Sequence, residues 1–214
     1  MNITREQLLL YAITDRSWLK GETLYEQVEK ALKGGVTLVQ LREKELSEPE
    51  FEAEGRSLLE LCHRYRVPLI INDNVELAER IGADGVHVGQ SDMELTRARE
   101  ILGTDKIIGV TAKTIEQAQA AEKAGADYIG VGAVFGTSTK KNARNLSLEK
   151  LQEISSSVSI PVVAIGGINA SNLMELAGSG VDGVAVVSAI FAAKDPGQAT
   201  RELKVLAQKM VEHE

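Results

Sequence analysis

The sequence has little of what several protein classes require. Its 214 residues include one cysteine, four prolines, three histidines and only 4% aromatic residues. A single cysteine excludes an internal disulfide and a zinc site built from several cysteines. No apolar run approaches the roughly 20 residues of a membrane span, and the N-terminal residues lack the layout of a signal peptide. We therefore expect a cytoplasmic protein.

Basic residues are outnumbered as well. The chain has 24 Lys and Arg against 31 Asp and Glu, which gives a net charge of −7. Nucleic acids and acidic membrane surfaces require basic patches, so we expect neither as a partner. The composition allows a homo-oligomer without predicting one. Any site for an anionic small molecule must be built locally.

Cysteine and histidine carry little functional signal in this sequence. Cys62 lies on an apolar helical stripe with Phe51 and Leu58, which predicts a buried thiol rather than a nucleophile. His87 is expected within a strand, His63 in a helix and the third histidine in the C-terminal tail. We expect core or surface roles for all three histidines and predict no histidine-based acid–base mechanism.

Short apolar runs alternate with amphipathic segments along the whole chain. The helical segments show apolar residues at i, i+4, i+7 and i+8, as in Leu24, Val28, Ala31 and Leu32, and the last helix is expected near 200–211. The apolar runs predict eight strands, at 9–14, 37–42, 68–72, 85–89, 106–111, 128–134, 161–166 and 183–188.

One phrase recurs where a helix gives way to a strand. It reads GADGV at 82–86, GADYI at 125–129 and GVDGV at 180–184, with a shorter GGV at 34–36. Glycine there ends a helix in the left-handed conformation before a buried strand begins. Eight strand–helix units without a linker predict one domain over 1–214, a single (β/α)8 TIM barrel with short loops. The alternative is an open doubly wound sheet, but its Gly-x-Gly-x-x-Gly turn is missing after the first strand.

Polar side chains gather where the predicted strands end. Along the second strand, alternation places Gln40, Arg42 and Lys44 on one face, which changes from apolar Leu38 to amide and then to basic groups. Strands of α/β proteins bind ligands at their C-terminal ends. This face therefore predicts a binding site rather than a frayed strand end.

Two carboxylates follow neighbouring strands. Asp73 comes after the third strand and Asp92 after the fourth, close enough to share one Mg²⁺ with substrate phosphates. Arg42, Lys44 and Lys140 would then supply positive charge for a pyrophosphate. Alternatively, each aspartate caps the helix that follows it.

A second anion site is predicted at the last two strands. Gly166 and Gly167 follow the seventh strand, and Val187 and Ser188 end the eighth. Barrels often bind a phosphate with backbone N–H groups from the loops after these strands, and glycine lets that backbone approach closely. A plain tight turn is the alternative interpretation.

The sequence resembles the thiamine phosphate synthase (thiamine-phosphate pyrophosphorylase) family over nearly its whole length. The matching stretches are VQLREK at 39–44, INDN at 71–74, GADGVHVGQSDM at 82–93, GADYIGVGAVFGTSTK at 125–140, PVVAIGGI at 161–168 and DGVAVVSAI at 182–190. The resemblance implies a (β/α)8 transferase of thiamine biosynthesis. It would join 4-amino-5-hydroxymethyl-2-methylpyrimidine diphosphate to 4-methyl-5-(2-phosphoethyl)thiazole, releasing pyrophosphate and thiamine phosphate.

The resemblance also implies three sets of site residues. The pyrimidine diphosphate would be held by Gln40, Leu41, Arg42, Glu43, Lys44, Asn72, Thr111 and Lys140, of which Arg42, Lys44 and Lys140 would be catalytic. The thiazole phosphate would be held by Thr137, Ser138, Thr139, Gly167, Val187 and Ser188. Asp73 and Asp92 would bind the Mg²⁺ cofactor.

Three positions depart from the family pattern. Thr111 replaces a usual serine, while Ala133 and Gly136 stand where prolines are common. We expect the segment 136–147 to form a lid that brings Lys140 onto the diphosphate. Two rival functions are a thiazole tautomerase-like barrel, whose strand-six histidine is Ala133 here, and a non-catalytic phosphate-ligand sensor, which would not need the two aspartates.

Overall fold

Eight parallel strands close into one barrel in the computed structural model, which describes residues 3–136 and 146–212. The strands are β1 Leu10–Ile13, β2 Leu38–Leu41, β3 Leu69–Asn72, β4 Gly85–Val88, β5 Ile107–Ala112, β6 Tyr128–Gly132, β7 Val162–Ile165 and β8 Gly183–Val186. Each lies within its predicted range except β5, which runs one residue further. Closure between β1 and β8 confirms the (β/α)8 prediction and excludes the open doubly wound sheet.

Helices surround the barrel on nearly every side. They are α1 Arg5–Leu8, α2 Leu24–Gly34, α3 Glu48–Arg64, α4 Val75–Ile81, α5 Leu95–Leu102, α6 Ile115–Lys123, α7 Leu148–Ser155, α8 Ser188–Phe191 and α9 Pro196–Glu212. Short 3₁₀ turns cover Arg16–Trp18 and Leu173–Leu176. In the part of the chain described, no helix is long and apolar enough to cross a membrane.

We expected a helix after every strand, but the connection between β7 and β8 contains no α-helix. The structure describes this connection completely, and its helical part is only the 3₁₀ turn Leu173–Leu176. Asn172 Oδ1 accepts a hydrogen bond from the Asn169 N–H, which competes with helix formation. Gly178 and Gly180 then take left-handed conformations that end the turn.

The recurring glycine–aspartate phrase has a structural role at the N-terminal ends of the strands. Gly82 ends α4 with φ of +72°, as predicted. The aspartate of each phrase accepts a backbone hydrogen bond near the start of the preceding strand: Asp84 from Leu69 at 2.8 Å, Asp127 from Ile108 at 2.8 Å and Asp182 from Val162 at 2.7 Å. The phrase thus satisfies strand N–H groups at the end of the barrel away from the predicted ligand site.

Two apolar layers hold the fold together. The outer layer lies between strands and helices and contains Cys62, which is fully buried as predicted; burial raises the pKa of its thiol to about 12. The inner layer fills the lower part of the barrel with Ile3, Leu8, Tyr11, Ile13, Leu38, Ile70, Ile107, Tyr128, Val163 and Ala185. Each large aliphatic side chain buried this way contributes about 1.5–3 kcal/mol. The upper part of the barrel is left for a ligand.

Candidate functional site

A cavity of about 650 Å³ opens at the C-terminal ends of the strands. Of the predicted site residues, it is lined by Gln40, Arg42, Lys44, Asn72, Asp73, Asp92, Thr111, Gly167, Val187 and Ser188. Its wall also includes Tyr11, His87, Gln90, Lys113 and Ala133. One cavity thus brings together groups from strands that are far apart in sequence.

Strand β2 delivers its polar face to this cavity, in agreement with the predicted alternation. Gln40 is only 2% exposed, and its Nε2 donates a hydrogen bond to the Tyr11 hydroxyl at 2.5 Å. The backbone N–H of Arg42 donates to the Thr14 hydroxyl at 3.0 Å, which joins the end of β2 to the end of β1. Lys44 extends over the rim, where its Nζ lies 3.0 Å from Asp73 Oδ2.

Two residues of the predicted diphosphate set do not line the cavity among the described residues. Leu41 is fully buried in the outer layer, on the opposite face of β2 from Gln40. The Glu43 side chain is 2% exposed and forms an ion pair with Arg16. Its Oε1 also accepts backbone hydrogen bonds from Lys44 at 2.7 Å and from Glu45 at 2.8 Å. Glu43 therefore braces the turn that carries the basic side chains.

The electrostatics of Glu43 agree with this bracing role. Burial alone would raise the pKa of its carboxyl, but hydrogen bonds from the Glu45 N–H, Arg16 and the Lys44 N–H outweigh burial and lower the pKa. Arg16 also bonds Glu54 Oε2 at 2.6 Å from its other side. The carboxylate of Glu43 is thus charged and fixed at neutral pH. Direct substrate contact by Leu41 or Glu43 stays a prediction.

The two predicted metal ligands are not helix caps. Asn74 caps α4 by accepting a hydrogen bond from the Leu77 N–H, and Glu94 occupies the N-cap position of α5. Asp73 instead has a φ of +62°, a strained conformation that concentrates at functional sites. Asp92 Oδ2 accepts a hydrogen bond from the Gly89 N–H at 2.6 Å. The capping alternative is therefore wrong for both residues.

Whether these aspartates suit Mg²⁺ follows from their chemistry. Both line the cavity rim after adjacent strands, and Asp73 keeps one-third of its side chain exposed. Within the described ranges, no three His, Cys, Asp or Glu side chains cluster closely enough to hold a metal. Two carboxylates without a third ligand fit an ion that completes its shell with water and substrate oxygens. Metal binding itself stays a prediction.

Backbone dominates the opposite wall of the cavity. Gly166 and Gly167 have φ of +107° and +67°, and a Cβ on Gly167 would lie 2.4 Å from the Gly136 oxygen. A side chain on Gly167 would therefore meet the loop after β6, and phosphate binding at this glycine pair stays a prediction. Ser188 begins α8 rather than ending β8, so the predicted strand was two residues too long.

Several predicted residues lie outside the described ranges. These are Thr137, Ser138, Thr139 and Lys140. The predicted lid at 136–147 also falls mostly within 137–145, which the structure does not describe. Their roles stay predictions.

His87 was missed as a residue of the cavity. We expected a core or surface role, but its ring lines the cavity and contacts Thr111 Oγ1 at 3.0 Å. The signal was available in the sequence, because alternation along Gly85-Val86-His87 faces the ring inward. In the barrel His87 pairs in register with Asn72, at the level where the lining turns polar. The expectation of a core or surface role thus overlooked that this ring reaches the cavity.

Known proteins resemble this chain along most of its length. A family model described as thiamine monophosphate synthase (TMP-TENI) matches residues 10–190. The chain belongs to this family. The thiamine-phosphate synthase of Clostridium acetobutylicum is 55% identical over 185 residues, which cover 86% of this chain and 88% of that protein. The thiamine-phosphate synthase of Ruminiclostridium cellulolyticum is 50% identical over 203 residues, covering 95% and 93%.

Solved structures support the same family. Thiamine phosphate pyrophosphorylase from Pyrococcus furiosus superimposes with a TM-score of 0.89 and 42% identity, covering 97% of this chain and 98% of that one. KGPDC from Streptococcus mutans superimposes with a TM-score of 0.72 at 17% identity, covering 96% and 99%. The second likeness shows the shared fold alone. The resemblance seen in the sequence motifs is thus confirmed, and so is the assignment to the transferases.

Proposed function

We propose that this protein joins 4-amino-5-hydroxymethyl-2-methylpyrimidine diphosphate to 4-methyl-5-(2-phosphoethyl)thiazole, forming thiamine phosphate and pyrophosphate. The observation that carries the proposal is the division of one cavity into a charged wall and a backbone wall. Arg42, Lys44, Asp73 and Asp92 lie on the first, and Gly167, Val187 and Ser188 lie on the second. Two substrates with unlike phosphate groups fit two unlike walls.

The charged wall suits a departing diphosphate. The C–O bond between the pyrimidine methylene and the diphosphate breaks, and its electron pair leaves with the pyrophosphate. Arg42 offers a planar fork of donors, while Lys44 offers a point charge. Asp73 and Asp92 would hold Mg²⁺, which when bound would supply further charge neutralisation to the leaving group. Lys140 would join this set.

The backbone wall suits a monophosphate. The N–H groups around Gly167, Val187 and Ser188 would donate hydrogen bonds to the thiazole phosphate, with Thr137, Ser138 and Thr139 as the remaining predicted contacts. Binding there would direct the thiazole ring nitrogen toward the pyrimidine methylene. That nitrogen carries a lone pair and no proton, so the new C–N bond forms without a general base. The absence of a predicted histidine base is consistent with this step.

Two rival functions fit the cavity less well. A tautomerase-like barrel would not require the paired carboxylates, and Ala133 occupies the cavity position where those relatives are expected to carry histidine. A phosphate-ligand sensor would not require charge stabilisation of a leaving group. The strained Asp73 and the Lys44–Asp73 ion pair are features that ligand sensing alone leaves without a purpose. A cytoplasmic location and a homo-oligomer stay predictions.

One reaction mixture tests the proposal. Purified protein, both substrates and Mg²⁺ are incubated, and phosphorus NMR and chromatography follow the products. We expect thiamine phosphate and pyrophosphate in equal amounts, with no product when either substrate is left out. Binding of both substrates without turnover would favour the sensor. Isomerisation of a thiazole carboxylate phosphate in place of condensation would favour the tautomerase.

A further inference from the structure

Five side chains form a continuous hydrogen-bonded chain across the interior of the barrel. Gln40 Nε2 donates to the Tyr11 hydroxyl at 2.5 Å, and the Tyr11 and Tyr128 hydroxyls lie 2.9 Å apart. The Tyr128 hydroxyl is 2.9 Å from His87 Nδ1, and His87 Nε2 is 3.0 Å from Thr111 Oγ1. The chain begins and ends at residues of the predicted diphosphate set and passes through three residues outside it.

The middle of this chain is buried deeply. Tyr11 is 1% exposed and Tyr128 is fully buried. Burial raises the pKa of both hydroxyls, so each keeps its proton at neutral pH. A buried hydroxyl without a partner loses its hydrogen bonds to water without replacement, so every hydrogen in the chain requires an acceptor.

Two glycines make room for the chain. A Cβ on Gly109 would lie 2.1 Å from the Tyr128 ring, and a Cβ on Gly130 would lie 3.2 Å from His87 Cε1. Both glycines face inward on β5 and β6, where other barrel positions carry aliphatic side chains. The two rings therefore occupy space that the neighbouring strands leave open, and they are held in one arrangement.

The partners fix the direction in which hydrogens are donated. An amide nitrogen only donates, so Gln40 uses the Tyr11 oxygen as an acceptor. The Tyr11 hydrogen then points to Tyr128, because reversing that bond would aim it at the Gln40 amide hydrogens. Tyr128 in turn donates to His87 Nδ1. A neutral imidazole has one accepting and one donating nitrogen, so a neutral His87 that accepts at Nδ1 would donate from Nε2–H to Thr111 Oγ1.

We propose that Tyr11, Tyr128 and His87 form a positioning relay, which presents the Thr111 hydroxyl to the cavity as a hydrogen-bond donor. The same relay commits Gln40 Nε2 to Tyr11 and leaves Gln40 Oε1 to accept from the ligand. At one end of the pyrimidine site Gln40 thus accepts a hydrogen bond from the ligand, and at the other end Thr111 donates one. Naming the ligand rests on the proposed function, in which Thr111 donates to an oxygen of the pyrimidine diphosphate.

The first test needs no substrate, so its failure is separate from failure of the proposed function. Nitrogen NMR of the imidazoles at neutral pH reports which ring nitrogen carries hydrogen. Variants His63→Asn and His213→Asn assign the remaining signals to His87. We expect the Nε2–H tautomer. An Nδ1–H tautomer would reverse every donor in the chain and overturn the proposal.

Two matched phenylalanine variants test the direction of the relay. Tyr128→Phe removes the donor to Nδ1, so we expect mixed His87 tautomers and a turnover number lower by about tenfold, the effect of one misdirected hydrogen bond. Tyr11→Phe removes the link to Gln40, but the Tyr128 hydrogen still has His87 Nδ1 as its acceptor, so the tautomer should not change. If Tyr11→Phe and Tyr128→Phe alter the tautomer equally, or neither alters it, the relay is refuted.

A double-mutant cycle separates positioning from general damage to the core. Thr111→Val removes the hydroxyl that the relay is proposed to direct, while Thr111→Ser keeps it and should retain most of the turnover. Adding Tyr128→Phe to Thr111→Val should lower turnover by less than about twofold, because coupled residues are not additive. Circular dichroism confirms that each variant folds. Full tenfold loss in both backgrounds would mean that Tyr128 acts independently of Thr111, contrary to the proposal.

Discussion

The two walls of the cavity are built by opposite means. On the β2–β5 wall the inward residues near the strand ends are polar, as in Gln40, Asn72, His87 and Thr111. On the β6–β8 wall the inward residues are glycine or aliphatic, and the Gly166-Gly167 turn sits against the loop after β6. Both walls are proposed to bind phosphate groups. One uses side-chain charge, while the other uses the path of the backbone.

This difference determines how a substitution on each wall can weaken substrate binding. A side-chain wall loses one contact at a time, and a conservative substitution removes charge without moving the chain. A backbone wall has no side-chain contact to remove, so its binding of substrate weakens when a new side chain displaces the backbone. Substitutions on the two walls should therefore separate the two substrates, provided that the fold survives.

The largest effect is expected on the charged wall. Asp92→Asn removes a carboxylate charge proposed to hold Mg²⁺, while the amide oxygen can still accept the Gly89 N–H hydrogen bond. We expect turnover to fall on the order of 100-fold, since metal charge stabilisation is worth several kcal/mol. Steady-state kinetics with and without a chelator measure this. Wild-type rates in the variant, or in excess chelator, would contradict the metal assignment.

The next largest effect is expected on the backbone wall. Gly167→Asp forces a side chain into the Gly136 oxygen and adds about 1–3 kcal/mol of left-handed strain. The loops after β6 and β7 must separate, so the KM for the thiazole phosphate should rise by about tenfold or more. Kinetics with the pyrimidine diphosphate saturating check this expectation.

A matched control isolates the collision from the strain. Gly178 also has a positive φ, +76°, but a Cβ there meets nothing within 4 Å. Gly178→Asp adds the same charge and similar strain far from the β6 loop. Its KM for the thiazole phosphate should equal that of the wild type. Similar rises in both variants would mean that the collision at Gly167 is not the cause.

A smaller effect is expected from Glu43, which supports the turn that carries Lys44 on the charged wall. Glu43→Gln weakens the bonds to Arg16 and to the turn that carries Lys44, so the KM for the pyrimidine diphosphate should rise about 3- to 10-fold. Glu54→Gln is the matched control, because Glu54 shares Arg16 but forms no hydrogen bond or ion pair with that turn among the described residues. Comparable effects in both variants would assign the role to Arg16 rather than to the turn.

The smallest effect is expected from a residue of the outer apolar layer, away from the cavity. Cys62→Ala should lower the free energy of unfolding by about 1 kcal/mol through a small cavity, and it should leave both KM values unchanged. Because burial raises the thiol pKa to about 12, thiol reagents should modify the folded protein slowly. Urea unfolding and a thiol titration measure these quantities. Fast modification would show that α3, which carries Cys62, does not stay packed against the barrel.

Periodicity was sufficient to predict the barrel, and it placed the strand bounds to within one or two residues. Barrel strands are buried on both faces, so apolar runs such as Leu69–Ile71 were visible from sequence alone. The connection after β7 was not predictable in the same way, because Asn169 and Asn172 form local side-chain bonds that stop a helix with the right apolar spacing. There, local side-chain hydrogen bonds outweighed the helical spacing of the apolar residues.

The site was predicted in part for the same physical reason. Gln40, Arg42 and Lys44 reach the cavity because they share a strand face, which alternation reveals. The brace by Glu43 depends on contacts with Arg16, which lies distant in sequence. The chain from Tyr11 through His87 also joins residues brought together only by barrel closure. Spacing along one strand carries no information about these partners.

The central claim is the division of the cavity, and calorimetric titration of each substrate tests it most directly. Wild type, Asp92→Asn and Gly167→Asp are titrated with the thiazole phosphate, and with the pyrimidine diphosphate in the presence of Mg²⁺. We predict that Asp92→Asn weakens only the diphosphate and that Gly167→Asp weakens only the thiazole phosphate. Equal weakening of both substrates by either folded variant would contradict the division, and an exchanged pattern would reverse the assignment of the walls.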